Sequence, residues 1–138
     1  MPQASLFKKY KERESEVSEK VKAFLDCRGV YWWRNNTGKA KMKGFWVGFG
    51  KKGSADILAL WPGTEAIPRG IFWSIELKRP GGAFEDEDQI RWLLDVRLRG
   101  GVGTVAESVE DVMRALEDPL YLPERYARAV EAYKRLAH

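Results

Sequence analysis

Residues 54–78 read SADILALWPGTEAIPRGIFWSIELK, and the fold turns on how this stretch is parsed. Ala55 to Trp61 is a nearly continuous apolar run, the pattern of a strand buried on both faces. Pro62-Gly63 ends it, and a turn extends to Gly70. Ile71 to Lys78 is the next strand, stopped by Pro80-Gly81-Gly82. Each strand carries a carboxylate where apolar sequence would be cheaper: Asp56 at the mouth of the first, Glu76 near the end of the second.

Working outward, residues 5–28 predict a helix with Tyr10, Val17, Val21, Phe24 and Leu25 on one stripe, capped by Ser5 and ended by Gly29. Val30 to Arg34 reads as a strand. Residues 35–53 form a basic, glycine-rich connection with a short strand at Phe45 to Phe49. Past the central pair, Glu85 to Arg99 predicts a helix with Ile90, Leu93, Leu94 and Leu98 inward, and Gly100-Gly101 terminates it. Val102 to Ala106 is a strand. Ser108 caps a helix running to Glu117, with Val109, Val112, Met113 and Leu116 apolar. Pro123 opens a last helix with the stripe Tyr126, Ala129, Val130, Tyr133 and Leu136. This order predicts an α/β fold: a mixed sheet flanked by helices on both faces, with C-terminal helices added. The 138 residues suit a single domain, 1–138, whose segment 119–138 is a helical extension.

Composition narrows the chemistry. With 44% hydrophobic and 32% charged residues, the chain can build a core and does not read as disordered. The longest apolar runs are too short for a membrane span, and the opening residues lack the apolar core of a signal peptide. A soluble, intracellular protein is expected. The sole cysteine, Cys27, and the sole histidine, His138, exclude an internal disulfide and cysteine–histidine or serine–histidine catalysis, and they leave little for zinc. An enzyme of this composition works with carboxylates, lysines and a hard metal ion.

Charge is unevenly placed. The total is +4, yet no acidic residue lies between Asp26 and Asp56, a window holding Arg28, Arg34, Lys39, Lys41, Lys43, Lys51 and Lys52. Removing those seven from 24 basic residues leaves 17 against 20 acidic, so the remainder is net −3. Tyr31, Trp32, Trp33, Phe45, Trp46 and Phe49 interleave with them, as do Asn35, Asn36 and Thr37. The mixture fits a loop or hairpin that contacts phosphates and stacks on bases; it equally fits a solvated hairpin with core aromatics.

Three further positions, Lys78, Glu14 and Gln89, complete a constellation with Asp56 and Glu76. Glu76 and Lys78 lie two apart in a strand and project from one face, roughly 6–7 Å apart. Asp56, one strand earlier, can sit beside Glu76; two such carboxylates repel, and a divalent cation resolves the repulsion. Glu14 falls within the apolar stripe of the first helix, whereas Glu12, Glu16 and Glu19 fall opposite. Gln89 lies one turn before Leu93 and faces the sheet. Singly, each reads as an ordinary edge, turn or helix-end residue.

Taken in order, helical Glu, Asp at a strand start, Glu-x-Lys on the next strand and Gln on the following helix, the pattern resembles the PD-(D/E)XK nuclease superfamily. It is most similar to that superfamily's VRR-NUC domain family. The matching segments are Arg34-Asn35-Asn36-Thr37-Gly38, Gly53-Ser54-Ala55-Asp56-Ile57-Leu58, Ile75-Glu76-Leu77-Lys78-Arg79-Pro80-Gly81-Gly82, Glu87-Asp88-Gln89-Ile90-Arg91-Trp92-Leu93 and Gly100-Gly101-Val102-Gly103-Thr104-Val105. The resemblance covers roughly residues 14–117. The family usually has proline before the aspartate; here Ala55 stands there. The resemblance implies a restriction-endonuclease-like αβββαβ core and a Mg²⁺- or Mn²⁺-dependent DNA endonuclease, either nicking or selective for junction or flap DNA. It implies Asp56, Glu76, the Leu77 carbonyl and Glu14 as metal ligands, Lys78 beside the attacking water, and Gln89 in support. Arg34, Asn35, Asn36, Lys39, Lys41, Lys43, Lys51 and Lys52 would bind the nucleic acid. Related small proteins often pair as homodimers and look like phage or mobile-element proteins. The competing expectation is a non-catalytic nucleic-acid-binding protein on the same fold.

Overall fold

The computed structural model describes residues 12–137. Ser5 and Tyr10, assigned above to the first helix, lie outside the described residues. Within them the order is α1 (Glu14–Cys27), β1 (Trp32–Arg34), β2 (Gly38–Met42), β3 (Phe45–Phe49), β4 (Ile57–Leu60), β5 (Phe72–Leu77), α2 (Glu87–Leu98), β6 (Val102–Ala106), α3 (Val109–Glu117) and α4 (Glu124–Leu136).

Four strands form one mixed sheet in the order β1-β4-β5-β6. β1 and β5 flank β4 antiparallel, and β6 joins β5 parallel, with Ile57 opposite Ile75 and Glu76 opposite Val105. The parallel pair needs a crossover, which α2 supplies. Alternation along the strands then sorts side chains into two cores. Ile57, Ala59, Trp61, Trp73, Ile75, Leu77, Val102 and Ala106 face Val17, Val21 and Leu25 of α1 and Val112 and Leu116 of α3. On the other face Val105 packs with Phe84, Ile90, Leu93, Tyr126 and Val130, which come from α2, α4 and the segment before α2. Helices therefore cover both faces of a mixed sheet, as the sequence predicts. The last helix, α4, joins the second core through Tyr126 and Val130. Among the described residues no helix is long and apolar enough to cross a membrane.

Local chemistry explains the element boundaries. Asp86 caps α2 by accepting from the Asp88 and Gln89 amides, and Ser108 caps α3 by accepting from Asp111. Buried Trp73 donates its indole N–H to Thr104 Oγ1 at 2.9 Å, which locks β5 to β6, and its ring meets Trp61 edge-on. The predicted helical stripes overreach at three positions. Leu98, Met113 and Leu136 are exposed, Leu98 at 81%. Leu98 and Leu136 are the last residues of their helices and run past the sheet, so Val96 takes the inward place on α2. Met113 lies beside the buried set Val112, Ala115 and Leu116, outside its arc.

The largest departure is residues 35–53. Where the sequence predicts a connection with one short strand, the chain forms a separate two-stranded antiparallel ribbon, β2–β3, closed by the turn Lys43-Gly44. Gly44 takes φ +82°, a left-handed conformation that favours glycine. Every ribbon residue is exposed.

Candidate active site

The site is built where β4 and β5 begin and end side by side. Asp56 immediately precedes β4, and its Oδ2 accepts the Leu77 backbone N–H at 2.7 Å. That bond fixes the carboxylate against the end of β5, next to Glu76. Glu76 is 7% exposed, among the few buried acidic side chains of the core. Burial pushes its carboxyl up to about 9, and the Asp56 carboxylate beside it pushes the same way. Lys78 counteracts this from 3.8 Å, and Glu14 adds a smaller upward push. Lys78 Nζ donates to Gln89 Oε1 at 2.8 Å and lies 5.7 Å from the centre of the Phe84 ring. Asp56, Glu76, Lys78 and Gln89 thus form one contiguous cluster drawn from β4, β5 and α2.

The backbone around the cluster is tied down from two sides. Asn35 pairs its amide N–H with the Asp56 carbonyl, and its side chain donates to Ser54 Oγ at 2.6 Å and to the Ala55 carbonyl at 2.9 Å. Ser54 in turn donates to the Lys51 carbonyl. Gly53, at φ +83°, lies so close to α2 that an added Cβ would overlap the Asp88 carbonyl. Asn35 and Gly53 thus restrain the segment that holds Ala55. On the other side, Glu107 accepts from the Gly81 amide, Arg125 and the Tyr126 hydroxyl, which anchors the loop following Lys78. Burial alone would raise the Glu107 carboxyl, but hydrogen bonds from Tyr126, Gly81 and Arg125 outweigh it and hold it below its ordinary value. Tyr126 is pushed up to about 12 by its burial and by Glu107.

A cleft of about 480 Å³ opens at Asp56 and Leu77, walled by α1 and by the strand-to-ribbon segment. Glu14, Ser18, Glu19 and Lys22 line one wall; Arg34, Asn35, Asn36 and Thr37 line the other. Glu14 is exposed on this wall, though it falls on the stripe that buries Val17 and Val21. It occupies the first residue of α1, where the stripe runs off the sheet and over the cleft. Glu19 was expected on the far side of the helix; it lines the cleft as well, held by an ion pair to Lys22 at 3.5 Å. Among the described residues no three His, Cys, Asp or Glu side chains stand together as a ready-made metal cage, so Glu14 does not complete a triad with Asp56 and Glu76.

The basic residues divide. Lys39, Lys41 and Lys43 ride on the ribbon, and Lys41 Nζ lies 6.0 Å from the Trp46 ring centre. Lys52 is spent on Asp88 at 3.2 Å. Asn35 commits both amide donors internally, so it shapes the cleft rather than offering those donors outward. The supporting roles of Ser54, Glu107 and Tyr126 were missed from sequence. Only Ser18 and Lys22 left a readable trace, their i+4 and i+8 spacing from Glu14.

The chain matches no family model, no curated protein and no solved structure. Its function is therefore argued from the site itself.

Proposed function

We propose that this chain is a divalent-cation-dependent DNA endonuclease with a site of the PD-(D/E)XK type, most similar to the VRR-NUC family. The observation that carries the reading is the meeting of Asp56 and Glu76 on neighbouring strands with the Lys78 ammonium 3.8 Å from Glu76. The succession helix, three sheet strands, helix, strand supports the αβββαβ core expected of that class.

The donor chemistry fits Mg²⁺ or Mn²⁺. Burial and the neighbouring Asp56 carboxylate both disfavour charge on Glu76, a repulsion that a divalent cation between two carboxyls relieves. Two carboxylates and one carbonyl oxygen next to an open cleft leave room for waters and phosphate oxygens. Asp56, Glu76 and the Leu77 carbonyl would hold the ion, with Glu14 facing it across the cleft. When bound, the ion supplies a water of lowered pKa and positive charge for a phosphoryl oxygen.

The remaining work falls to the protein. Gln89 fixes the Lys78 ammonium, which orients the attacking water and offsets charge developing on the phosphate. The Leu77 N–H holds Asp56 in one rotamer, so the carboxylate needs no reorganisation. Arg34 and the backbone of Asn36 and Thr37 lie along the wall where a phosphodiester chain would run.

The test is incubation of supercoiled plasmid and of labelled duplex, flap and four-way-junction DNA with Mg²⁺, with Mn²⁺ and with EDTA. Cleavage that needs the ion and disappears in Asp56→Asn supports the reading; cleavage by metal-stripped Asp56→Asn ends it. The alternative, a nucleic-acid-binding protein without cleavage, draws on the exposed lysine ribbon. It is selected if DNA shifts in a salt-dependent manner and no ion produces a cut.

A further inference from the structure

The pairing register of the β2–β3 ribbon sorts its side chains. Residues directly opposite share a face, so Ala40, Met42, Phe45, Val47 and Phe49 form one face, and Lys39, Lys41 and Trp46 the other. The tip of the apolar face is open: Phe45 is 59% exposed and Met42 50%. These two close the ribbon next to the turn Lys43-Gly44 and form its apolar tip. At its base, Gly50 packs against Asn36 and Thr37, which line the cleft beside Asp56. The ribbon therefore rises from the wall of the candidate active site and reaches about 16 Å beyond it, five residues at strand rise.

Resting on the nuclease reading above, we propose that this ribbon is a wedge that unstacks one step of duplex DNA next to the cleft. Met42 and Phe45 enter the base stack, while Lys39, Lys41 and Lys43 hold the flanking phosphates and Trp46 lies against the exposed sugar or base. Charge selects this occupant. No acidic residue lies between Asp26 and Asp56, and among the described residues Lys39, Lys43 and Lys51 make no ion pair. A second copy docked on the apolar face would leave Lys39 and Lys41, on the other face, without a counter-charge. A polyanion with an apolar interior, which a base stack is, satisfies both faces at once. Unstacking is least costly where pairing is already weakened, so the substrate class is duplex DNA carrying a mismatched or unpaired step.

The probe is a duplex with 2-aminopurine beside a single mismatch, compared with its fully matched counterpart, in EDTA so that no cutting intervenes. The full-length protein is expected to raise the fluorescence at least about threefold on the mismatched duplex and much less on the matched one. Met42→Ser/Phe45→Ser abolishes the rise, while affinity by anisotropy changes less than about tenfold because phosphate contacts carry it. Since the ribbon's extensive contacts among the described residues are between its own two strands, the thermal midpoint of this variant stays at the wild-type value. Bound wild type without a fluorescence rise, or an undiminished rise in the variant, overturns the wedge. So does sedimentation showing a wild-type dimer that the variant converts to monomer, or wild-type binding to phosphatidylserine vesicles that the variant loses. Fluorescence rise without any Mg²⁺- or Mn²⁺-dependent cutting sustains the wedge and removes the nuclease; cutting without the rise does the reverse.

Discussion

The cluster around Glu76 and the β2–β3 ribbon, to which the proposed cutting and binding are assigned, are built on opposite principles. The cluster is assembled from β4, β5 and α2, and its members are fixed by contacts that cross the fold: Leu77 to Asp56, Lys78 to Gln89, Gly53 against Asp88. The ribbon touches mainly itself, and all its residues are exposed. Groups that must hold charge in a set geometry are held by the core, where reorganisation is minimal. Groups proposed to conform to an irregular polyanion hang free of it. Damage to the first should therefore show in both folding and chemistry, and damage to the second in binding alone.

The largest expected effect comes from the carboxylates. Asp56→Asn and Glu76→Gln should each lower ion-dependent cleavage by at least about 10²–10³-fold, measured as initial rate on labelled duplex, with DNA affinity retained or improved. A weakened affinity of similar size would erase the division between cutting and binding. Next is Gly53→Ala, which adds a Cβ against the Asp88 backbone at a positive φ. Urea unfolding should show a loss of roughly 2–4 kcal/mol, together with loss of cleavage. The matching change in the ribbon, Gly44→Ala, meets no atom within 4 Å. It strains the turn but should leave global unfolding unmoved, and a comparable global loss would show that the ribbon is not independent.

A pH series sharpens the contrast further. The folded Glu76 carboxyl keeps its proton up to about 9, whereas its ordinary value is 4.5. Between those values the unfolded chain binds fewer protons than the folded one, so stability falls as pH rises through this window. In EDTA the thermal midpoint should decline from pH 5 to 9, and Glu76→Gln should flatten the decline. An equal decline in Glu76→Gln would remove Glu76 as its source. The smallest effects belong to single ribbon lysines. Lys41→Ala should reduce the slope of log affinity against log salt by about 0.9, read by anisotropy at several salt concentrations. Lys52→Ala should change it less, because Asp88 already occupies that ammonium.

What could be read from sequence follows the same division. The buried strands announced themselves, since a run such as Ile57 to Leu60 has few other uses and the polar Asp56 and Glu76 stand out against it. Val102–Ala106 and Val109–Glu117 have the predicted bounds because β-branched residues fill the one and Ser108 caps the other. The ribbon was half visible. Phe45–Phe49 has strand composition, but Gly38–Met42 is glycine, alanine and lysine with a single methionine. Its strand character comes from its partner and not from its own propensity. Glu14 shows where periodicity fails: a helical stripe says which side faces inward, but only the sheet's edge decides whether that side meets core or cleft. Asn35 lay beyond reach for a similar reason, because its hydrogen bonds span 19 and 20 residues.

Glu107 joins two segments that sequence distance keeps apart. A single carboxylate receives the loop that follows Lys78 and, from the opposite direction, Arg125 and Tyr126 of the last helix. The C-terminal helix is thereby mechanically coupled to Lys78, the proposed catalytic lysine, although none of its residues lines the cleft. Trimming the protein back to its sheet would leave a domain with every proposed reactive group present and the lysine's supporting loop unmoored.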